Sequence, residues 1–312
     1  MNYRLSFISG ASYFFVKFGI IHTMIQIGLR AHDYGRLPLE QLADVLAAYN
    51  IDSIQLALTK ALPSAPPPGS LSPGYARRIR KILEARNISI AVLGCYINPV
   101  HPDPAVRENM LRNFEEHLRF ARDFGCPLVG TETGSCNPDC SWHPDTEKPA
   151  TFSLFCSSLD RLLNTAEKCG AMVGIEPVAD QHTVSSIKLM TKVIDCFRSP
   201  TLRVIYDPVN LIPGAGLNES QESFFARAFD ALGDHIAAVH LKDFRMEEGK
   251  KKDGLPAGTG SLDYSALFKL LLPGKPGIDL LLENSVPATA HHTIAFLRET
   301  AAAVLGSSTK TN

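Results

Sequence analysis

Four apolar runs in the second half of the chain each end at a residue that can bind a metal ion. These residues are Glu176, Asp207, His240 and Glu283. An unpaired carboxylate at the end of a buried strand costs on the order of several kcal/mol in desolvation, so we expect a shared counter-ion. Three carboxylates and one imidazole form a hard, oxygen-rich set. We therefore expect one divalent metal ion there, with Mn²⁺, Co²⁺ or Mg²⁺ favoured over Zn²⁺.

Each of these residues also has a plainer interpretation. A single carboxylate could cap a strand or pair with a neighbouring lysine. The metal interpretation depends on all four residues occurring at the ends of successive apolar runs.

Other polar residues lie near the same run ends and could contact a substrate or the metal ligands. The candidates are Asn98, Glu132, His182, Asn210, Lys242 and Arg245. Strand alternation places Lys242 on the same inward face as His240, where it could hold a substrate oxygen or pair with a ligand carboxylate. The only tryptophan, Trp142, lies in the loop 133–150, where it could stack on a sugar or pack within the loop.

Eight short apolar runs alternate with longer amphipathic segments from Met24 onward. The runs are 25–29, 53–58, 88–96, 128–132, 172–177, 203–208, 237–241 and 279–284. This repetition predicts an α/β protein built as a single (β/α)8 TIM barrel, in which all strand ends share one face. An open doubly wound sheet is the alternative, but no G-x-G-x-x-G sequence follows the first run and no run resembles an antiparallel edge strand.

The clearest helix prediction runs from Pro104 to Phe124. Asp103 supplies an N-cap, Pro104 suits the first turn, and Gly125 stands where a C-cap glycine belongs. We expect the Arg and Glu side chains of this helix on a solvated outer face.

The composition indicates a globular protein with ample material for a core. Of the 312 residues, 45% are hydrophobic and 20% charged, which excludes a disordered chain and a polytopic membrane protein. The net charge of −1 does not favour a nucleic-acid binder, and no apolar stretch is long enough to span a membrane. Seven irregularly spaced cysteines predict reduced thiols in a cytoplasmic protein.

The predicted barrel occupies residues 24–306. Residues 1–23 are interpreted as an N-terminal extension outside the barrel, or as the product of a misplaced start codon, and residues 307–312 as a polar tail.

Several motifs together resemble the xylose isomerase-like TIM-barrel superfamily, in its branch of sugar phosphate isomerases and epimerases. They are GIEPV (174–178), YDPVN (206–210), VHLKD (239–243), the G-x-G before LDY (258–264) and LLLEN (280–284). The resemblance covers the chain from about Met24 to Leu305. It implies a single metal ion held by Glu176, Asp207, His240 and Glu283.

The resemblance also implies that Glu176 and Glu283 are the catalytic pair, exchanging the proton on the carbon beside a carbonyl. A metal ion stabilises the resulting enediolate, and a carboxylate on each face of that carbon allows inversion. We therefore expect a metal-dependent sugar or sugar phosphate isomerase or epimerase, with a small sugar or polyol as its substrate. Homodimers are common in this family, so a homodimer is a further expectation by resemblance.

Three other functions stay open. Inosose dehydratases of this superfamily share the VHLKD-type motif, so a lyase on the same metal site is an alternative. A barrel that binds a sugar without turning it over is another. An apurinic-site endonuclease is disfavoured, because Asn210 stands where those enzymes have a further histidine and the second run ends without a ligand.

Overall fold

Eight parallel strands close into a barrel, confirming the single (β/α)8 fold. The barrel strands are β1 (Gln26–Arg30), β2 (Ser53–Leu56), β3 (Ser89–Gly94), β4 (Leu128–Glu132), β5 (Met172–Glu176), β6 (Leu202–Tyr206), β7 (Ile236–Leu241) and β10 (Asp279–Leu282). They pair around the barrel in the order β1-β10-β7-β6-β5-β4-β3-β2. The computed structural model describes residues 25–308. The predicted extension at 1–23 and residues 309–312 of the predicted tail lie outside this range.

Helices follow the strands and surround the barrel. The longer ones are Leu39–Ala47, Pro73–Glu84, Pro104–Phe120, Pro149–Cys169, Ile187–Phe197, Gln221–Leu232, Tyr264–Gly274 and Ala290–Ser308. Two short helices, Leu58–Ala61 and Pro208–Leu211, begin at the strand ends that form the barrel mouth.

The strands are buried on both faces, as their near-continuous apolar runs predict. Inside the barrel, the Ile205 side chain packs directly over two glycines. A Cβ atom at Gly130 would lie 2.6 Å from Ile205 Cδ1, and one at Gly174 would lie 3.1 Å from it. The barrel can therefore take a large side chain at Ile205 because its neighbours on β4 and β5 have none.

The helix predicted from Pro104 begins as expected but has a more buried surface than expected. Asp103 accepts hydrogen bonds from the backbone N–H groups of Ala105 and Val106, which confirms the N-cap. The helix ends at Phe120, four residues before the predicted end, and turns lead on to Gly125.

The predicted solvated face was wrong for Glu115 and Glu116, which are 8% and 5% exposed. Glu115 binds Arg161 of the next long helix, with Oε1 to Nε at 2.8 Å and Oε2 to Nη2 at 2.9 Å. Glu116 accepts hydrogen bonds from two backbone N–H groups of the loop after β2, those of Gly69 and Leu71. Both carboxylates are buried because neighbouring segments supply their hydrogen-bond donors.

An antiparallel hairpin, β8 (Asp243–Glu247) with β9 (Lys250–Leu255), lies between β7 and β10 and is not predicted by the apolar pattern. Its strands are mostly exposed, so they lack the buried runs that reveal the barrel strands. Within residues 25–308, the structure contains no helix that is long and apolar enough to cross a membrane.

Candidate metal and active site

The four residues predicted as metal ligands meet at the carboxyl ends of neighbouring strands. Glu176 is the last residue of β5, Asp207 follows β6, His240 is in β7 and Glu283 follows β10. One ligand atom from each residue lies within 4.8 Å of the others, so the group could hold a metal ion. We call these four residues the ligand cluster.

His240 is aimed into the ligand cluster through its Nδ1 atom. Nδ1 lies 3.2 Å from Glu176 Oε1 and 3.4 Å from Glu283 Oε2, and His240 is 2% exposed. On the other side of the ring, Nε2 lies 2.5 Å from Gln55 Oε1. Gln55 Nε2 donates to Tyr96 Oη at 2.7 Å, which orients the amide so that its oxygen accepts from the imidazole. This contact leaves Nδ1 of a neutral ring free to bind a metal ion.

Two atoms of the ligand cluster lack the partners that buried polar atoms normally have. Asp207 Oδ2 and His240 Nδ1 are buried and make no hydrogen bond of good geometry with any residue between 25 and 308. Lys242 Nζ does lie 3.0 Å from Asp207 Oδ2 as an ion pair. Unsatisfied buried acceptors at converging positions fit a divalent cation, which would bind both of them.

Two side-chain cations contact the cluster at Glu283. Lys242 Nζ lies 3.1 Å from Glu283 Oε1, and Arg30 Nη1 lies 2.8 Å from the same atom. Arg30 also pairs with Asp33 at 2.9 Å. Burial opposes ionisation of Glu283, but the charges of Lys242, His240 and Arg30 outweigh it and lower the pKa of Glu283 to about 2.

The remaining groups of the site respond to the crowding of negative charge. Burial disfavours the charged form of His240, yet the carboxylates of Glu176 and Glu283 raise its pKa to about 9. Burial, together with the charges of Glu176 and Glu283, raises the pKa of Glu132 to about 7. Burial also raises the pKa of Asp207 above its usual range. The shifts of His240 and Glu132 reflect the concentration of carboxylates in the site.

The short helix Pro208–Leu211 positions two residues of the site. Asp207 is its N-cap and accepts from the Asn210 backbone N–H, while Asn210 Nδ2 donates to Glu176 Oε1 at 2.7 Å. Lys251 of β9 holds the other end of this helix, with Nζ donating to the carbonyls of Val209 and Ile212 at 2.8 and 2.7 Å. The hairpin therefore supports the short helix that follows Asp207, one of the four predicted metal ligands.

The structure places the other predicted substrate contacts at unequal distances from the ligand cluster. Lys242 and Asn210 contact it directly. Glu132 pairs in register with Glu176 on the adjacent strand, and its Oε2 lies 3.6 Å from Nδ1 of the buried His182.

Asn98, Trp142 and Arg245 do not contact the ligand cluster. Asn98 is 1% exposed and uses its amide to bind the carbonyls of Ser135 and Asn137, so it holds the loop after β4 in place. Trp142 is 58% exposed on that loop. Arg245 lies on the hairpin and donates to the carbonyl of Thr259.

Three residues of the site were not predicted as functional: Arg30, Gln55 and Tyr96. Arg30 ends the first apolar run in the same way that the metal ligands end theirs, and this signal could have identified it. Gln55 is a long polar side chain in a fully buried strand, and this signal could also have identified it. Tyr96 gives no such signal, because an aromatic residue after a strand is ordinary core material.

The chain matches a known protein family. Residues 43–300 match the family described as xylose isomerase-like TIM barrel, so the chain belongs to that family. This confirms the resemblance drawn from the motifs.

A curated relative and two solved structures are similar to this chain. The 3-oxo-isoapionate decarboxylase of Pectobacterium atrosepticum is 26% identical over 184 residues, which are 57% of this chain and 59% of that relative's length. A D-tagatose 3-epimerase-like protein superposes with a TM-score of 0.72 at 14% identity, covering 91% of this chain and 99% of the other. A xylose isomerase-like TIM barrel protein from Mycobacterium smegmatis, solved in complex with magnesium, gives 0.68 at 18% identity, covering 92% and 98%. The two superpositions show a shared fold.

Proposed function

We propose that this chain is a divalent-metal-dependent isomerase or epimerase that moves a proton on the carbon beside the carbonyl of a sugar or sugar phosphate. The observation that supports this most strongly is the ligand cluster itself. Three carboxylates and an imidazole converge within 4.8 Å, with two of their buried atoms unsatisfied.

The charge balance of the cluster supports a divalent ion. Among residues 25–308, the three carboxylates of the ligand cluster and Asp33 contact two lysine or arginine cations, Arg30 and Lys242. Two negative charges therefore stay uncompensated when His240 is neutral. Since each buried, unpaired charge costs on the order of several kcal/mol, a bound dication is the economical solution. The magnesium complex of the Mycobacterium smegmatis protein supports the same ion class.

The roles of the residues follow from their positions. Glu176, Asp207, His240 and Glu283 would hold the ion, which when bound polarises the substrate carbonyl and stabilises the developing enediolate. Glu176 and Glu283 come from strands separated by β6 and β7 in the barrel, so their carboxylates approach the mouth from different directions. One would take the proton from the substrate carbon and the other would return a proton to it.

Lys242 would donate a hydrogen bond to a substrate oxygen. Its ammonium group is already held between Asp207 and Glu283, so it is oriented before a substrate arrives. Asn210 fixes the Glu176 carboxylate through one oxygen and leaves the other for the reaction.

A decarboxylase acting on a 3-oxo sugar acid is the second candidate, favoured by the match to the Pectobacterium atrosepticum enzyme. In such a reaction the bond to the carboxylate carbon breaks, carbon dioxide leaves, and its bonding electrons form an enolate that is then protonated on carbon. The same charge-stabilising site would serve, since an enolate resembles an enediolate in its charge.

One experiment tests both candidates. Purified protein is freed of metal with a chelator, reloaded with Mn²⁺, Mg²⁺ or Co²⁺, and incubated with ketoses, ketose phosphates, inososes and 3-oxo sugar acids in deuterated water. An isomerase or epimerase conserves the substrate skeleton and incorporates deuterium beside the carbonyl. A decarboxylase releases carbon dioxide, and a dehydratase releases water.

Two variants provide the internal control. Glu176→Gln should abolish deuterium incorporation, whereas Glu222→Gln, an exposed glutamate on the helix Gln221–Leu232, should leave it unchanged. Full activity of the chelator-treated protein, or of Glu176→Gln, would contradict the proposal.

A further inference from the structure

The mouth of the barrel has two unlike halves. The ligand cluster comes from β5, β6, β7 and β10, which are neighbours in the closed sheet. The ends of β1, β2 and β3, on the other half, bring together His32, Lys60 and Tyr96. Because the carboxyl ends of all eight strands share one face of the barrel, a sugar bound at the ligand cluster could reach this second half.

Lys60 is a cation without a carboxylate partner. Its Nζ lies over the Tyr96 ring, 3.9 Å from the ring centroid, and no carboxylate of the described residues is within ion-pair distance of it. Burial and the charge of Arg30 lower the pKa of Lys60. Arg30 and Lys242, by contrast, are both engaged by carboxylates. Lys60 is therefore free to pair with an incoming anion.

His32 offers a second unpartnered group on the same aromatic ring. The imidazole meets Tyr96 edge-on, with ring centroids 6.1 Å apart. Its Nδ1 atom is buried and has no hydrogen-bond partner in the part of the chain that the structure describes. Burial and the charges of Arg30 and Lys60 lower the pKa of His32 to about 3, so the ring is neutral and has one N–H to donate.

Tyr96 connects these two groups to the ligand cluster. Its hydroxyl accepts from Gln55, and Gln55 in turn binds His240, so Lys60 is separated from the cluster by two side chains. A cavity of about 90 Å³ beside Lys60, also lined by Tyr96 and Asn113, has room for a small polar group.

We propose that Lys60 and His32, which both contact the Tyr96 ring, form a subsite that binds an anionic group of the substrate, a carboxylate or a phosphate. The substrate of the metal site is then an acidic sugar or a sugar phosphate. This inference rests on the proposed function, because it takes the ligand cluster as the place where the rest of the substrate binds.

Binding of five-carbon probes of different charge tests the subsite. Isothermal titration of the Mn²⁺-loaded protein compares D-xylonate and D-xylulose 5-phosphate with the neutral polyol xylitol. A charge-assisted hydrogen bond increases affinity by about 10- to 100-fold. At least one anionic probe should therefore bind the wild type about 10-fold more tightly, or better, than xylitol does. Whichever anion shows this preference identifies the carboxylate or the phosphate as the natural group.

Lys60→Met and Lys60→Gln should both remove the preference while leaving xylitol binding unchanged, and Lys60→Arg should retain most of it. Lys81→Met removes an exposed lysine of the helix Pro73–Glu84 and serves as the matched control. The inference is overturned when the wild type shows no preference for either anion, or when both neutral Lys60 variants keep it.

The failure of this inference and the failure of the proposed function have different signatures. Unchanged anion preference in the Lys60 variants, alongside metal-dependent deuterium exchange, refutes the subsite alone. A Lys60-dependent anion preference without exchange, or without metal binding, refutes the proposed reaction and leaves the subsite standing.

Discussion

Replacing Gln55 with leucine should weaken metal binding although Gln55 is not a ligand. The Gln55 amide oxygen lies 2.5 Å from His240 Nε2 and keeps Nδ1 directed at the carboxylates. Loss of such an orienting partner typically costs 10- to 100-fold in metal affinity, or about 1.4 to 2.7 kcal/mol. The buried imidazole N–H also loses its acceptor, so the free energy of unfolding should fall by about 1–3 kcal/mol with or without metal.

The assay is calorimetric titration of chelator-treated protein with Mn²⁺, with circular dichroism to confirm a native fold. Gln55→Glu keeps an acceptor facing Nε2, and Tyr96 can then donate its hydroxyl proton to the new carboxylate. We therefore expect Gln55→Glu to bind Mn²⁺ far more tightly than Gln55→Leu does.

Gln41→Leu is the matched control, because Gln41 is exposed on the helix Leu39–Ala47. A folded Gln55→Leu protein whose Mn²⁺ dissociation constant stays within about twofold of the wild type would refute the argument that the amide positions His240.

Three further predictions concern the scaffold. Glu116→Ala removes the acceptor of two backbone N–H groups, of which that of Leu71 is buried and that of Gly69 is only partly buried. We expect a loss of about 1–3 kcal/mol in urea unfolding, whereas exposed Glu84→Ala should change stability by less than about 0.5 kcal/mol. Burial lowers the pKa of His117 in the folded state. Above the unfolded pKa of about 6.5 the imidazole is neutral in both states, and the contribution of His117 to stability is complete. As the pH falls from there toward the lower folded pKa, only the unfolded state binds the proton, so this contribution is lost. The wild type should therefore lose up to about 1.4 kcal/mol per pH unit more than His117→Leu between pH 6.5 and 5, and equal slopes in urea unfolding would contradict this assignment. Gly258→Ala would place a Cβ 2.6 Å from Phe296 Cδ1, at a residue with φ of +81°. We expect strain of about 1–3 kcal/mol and a melting temperature lower by several degrees. An unchanged melting temperature would contradict this strain and show that the loop relaxes.

The errors in the sequence-based predictions have two physical origins. Helical spacing places Glu115 and Glu116 on a polar stripe, but spacing does not reveal that Arg161 and a loop from β2 pack against that stripe. The hairpin was missed because its exposed strands carry charged residues, so it has no apolar period to detect.

The sequence by itself determined the barrel and the four residues of the ligand cluster. Parallel strands buried on both faces require apolar runs, and the barrel brings the ends of those runs to one face, so an ionisable residue at each end could be placed without coordinates.

Only the tertiary structure decided which groups complete the site. Gln55 meets His240 across 185 positions of sequence, and Arg30 meets Glu283 only because β1 pairs with β10 to close the barrel. Such contacts depend on strand order and side-chain direction together, and one-dimensional spacing encodes neither across a closed sheet. For the same reason the position of Lys60 over the Tyr96 ring could not be predicted from the sequence.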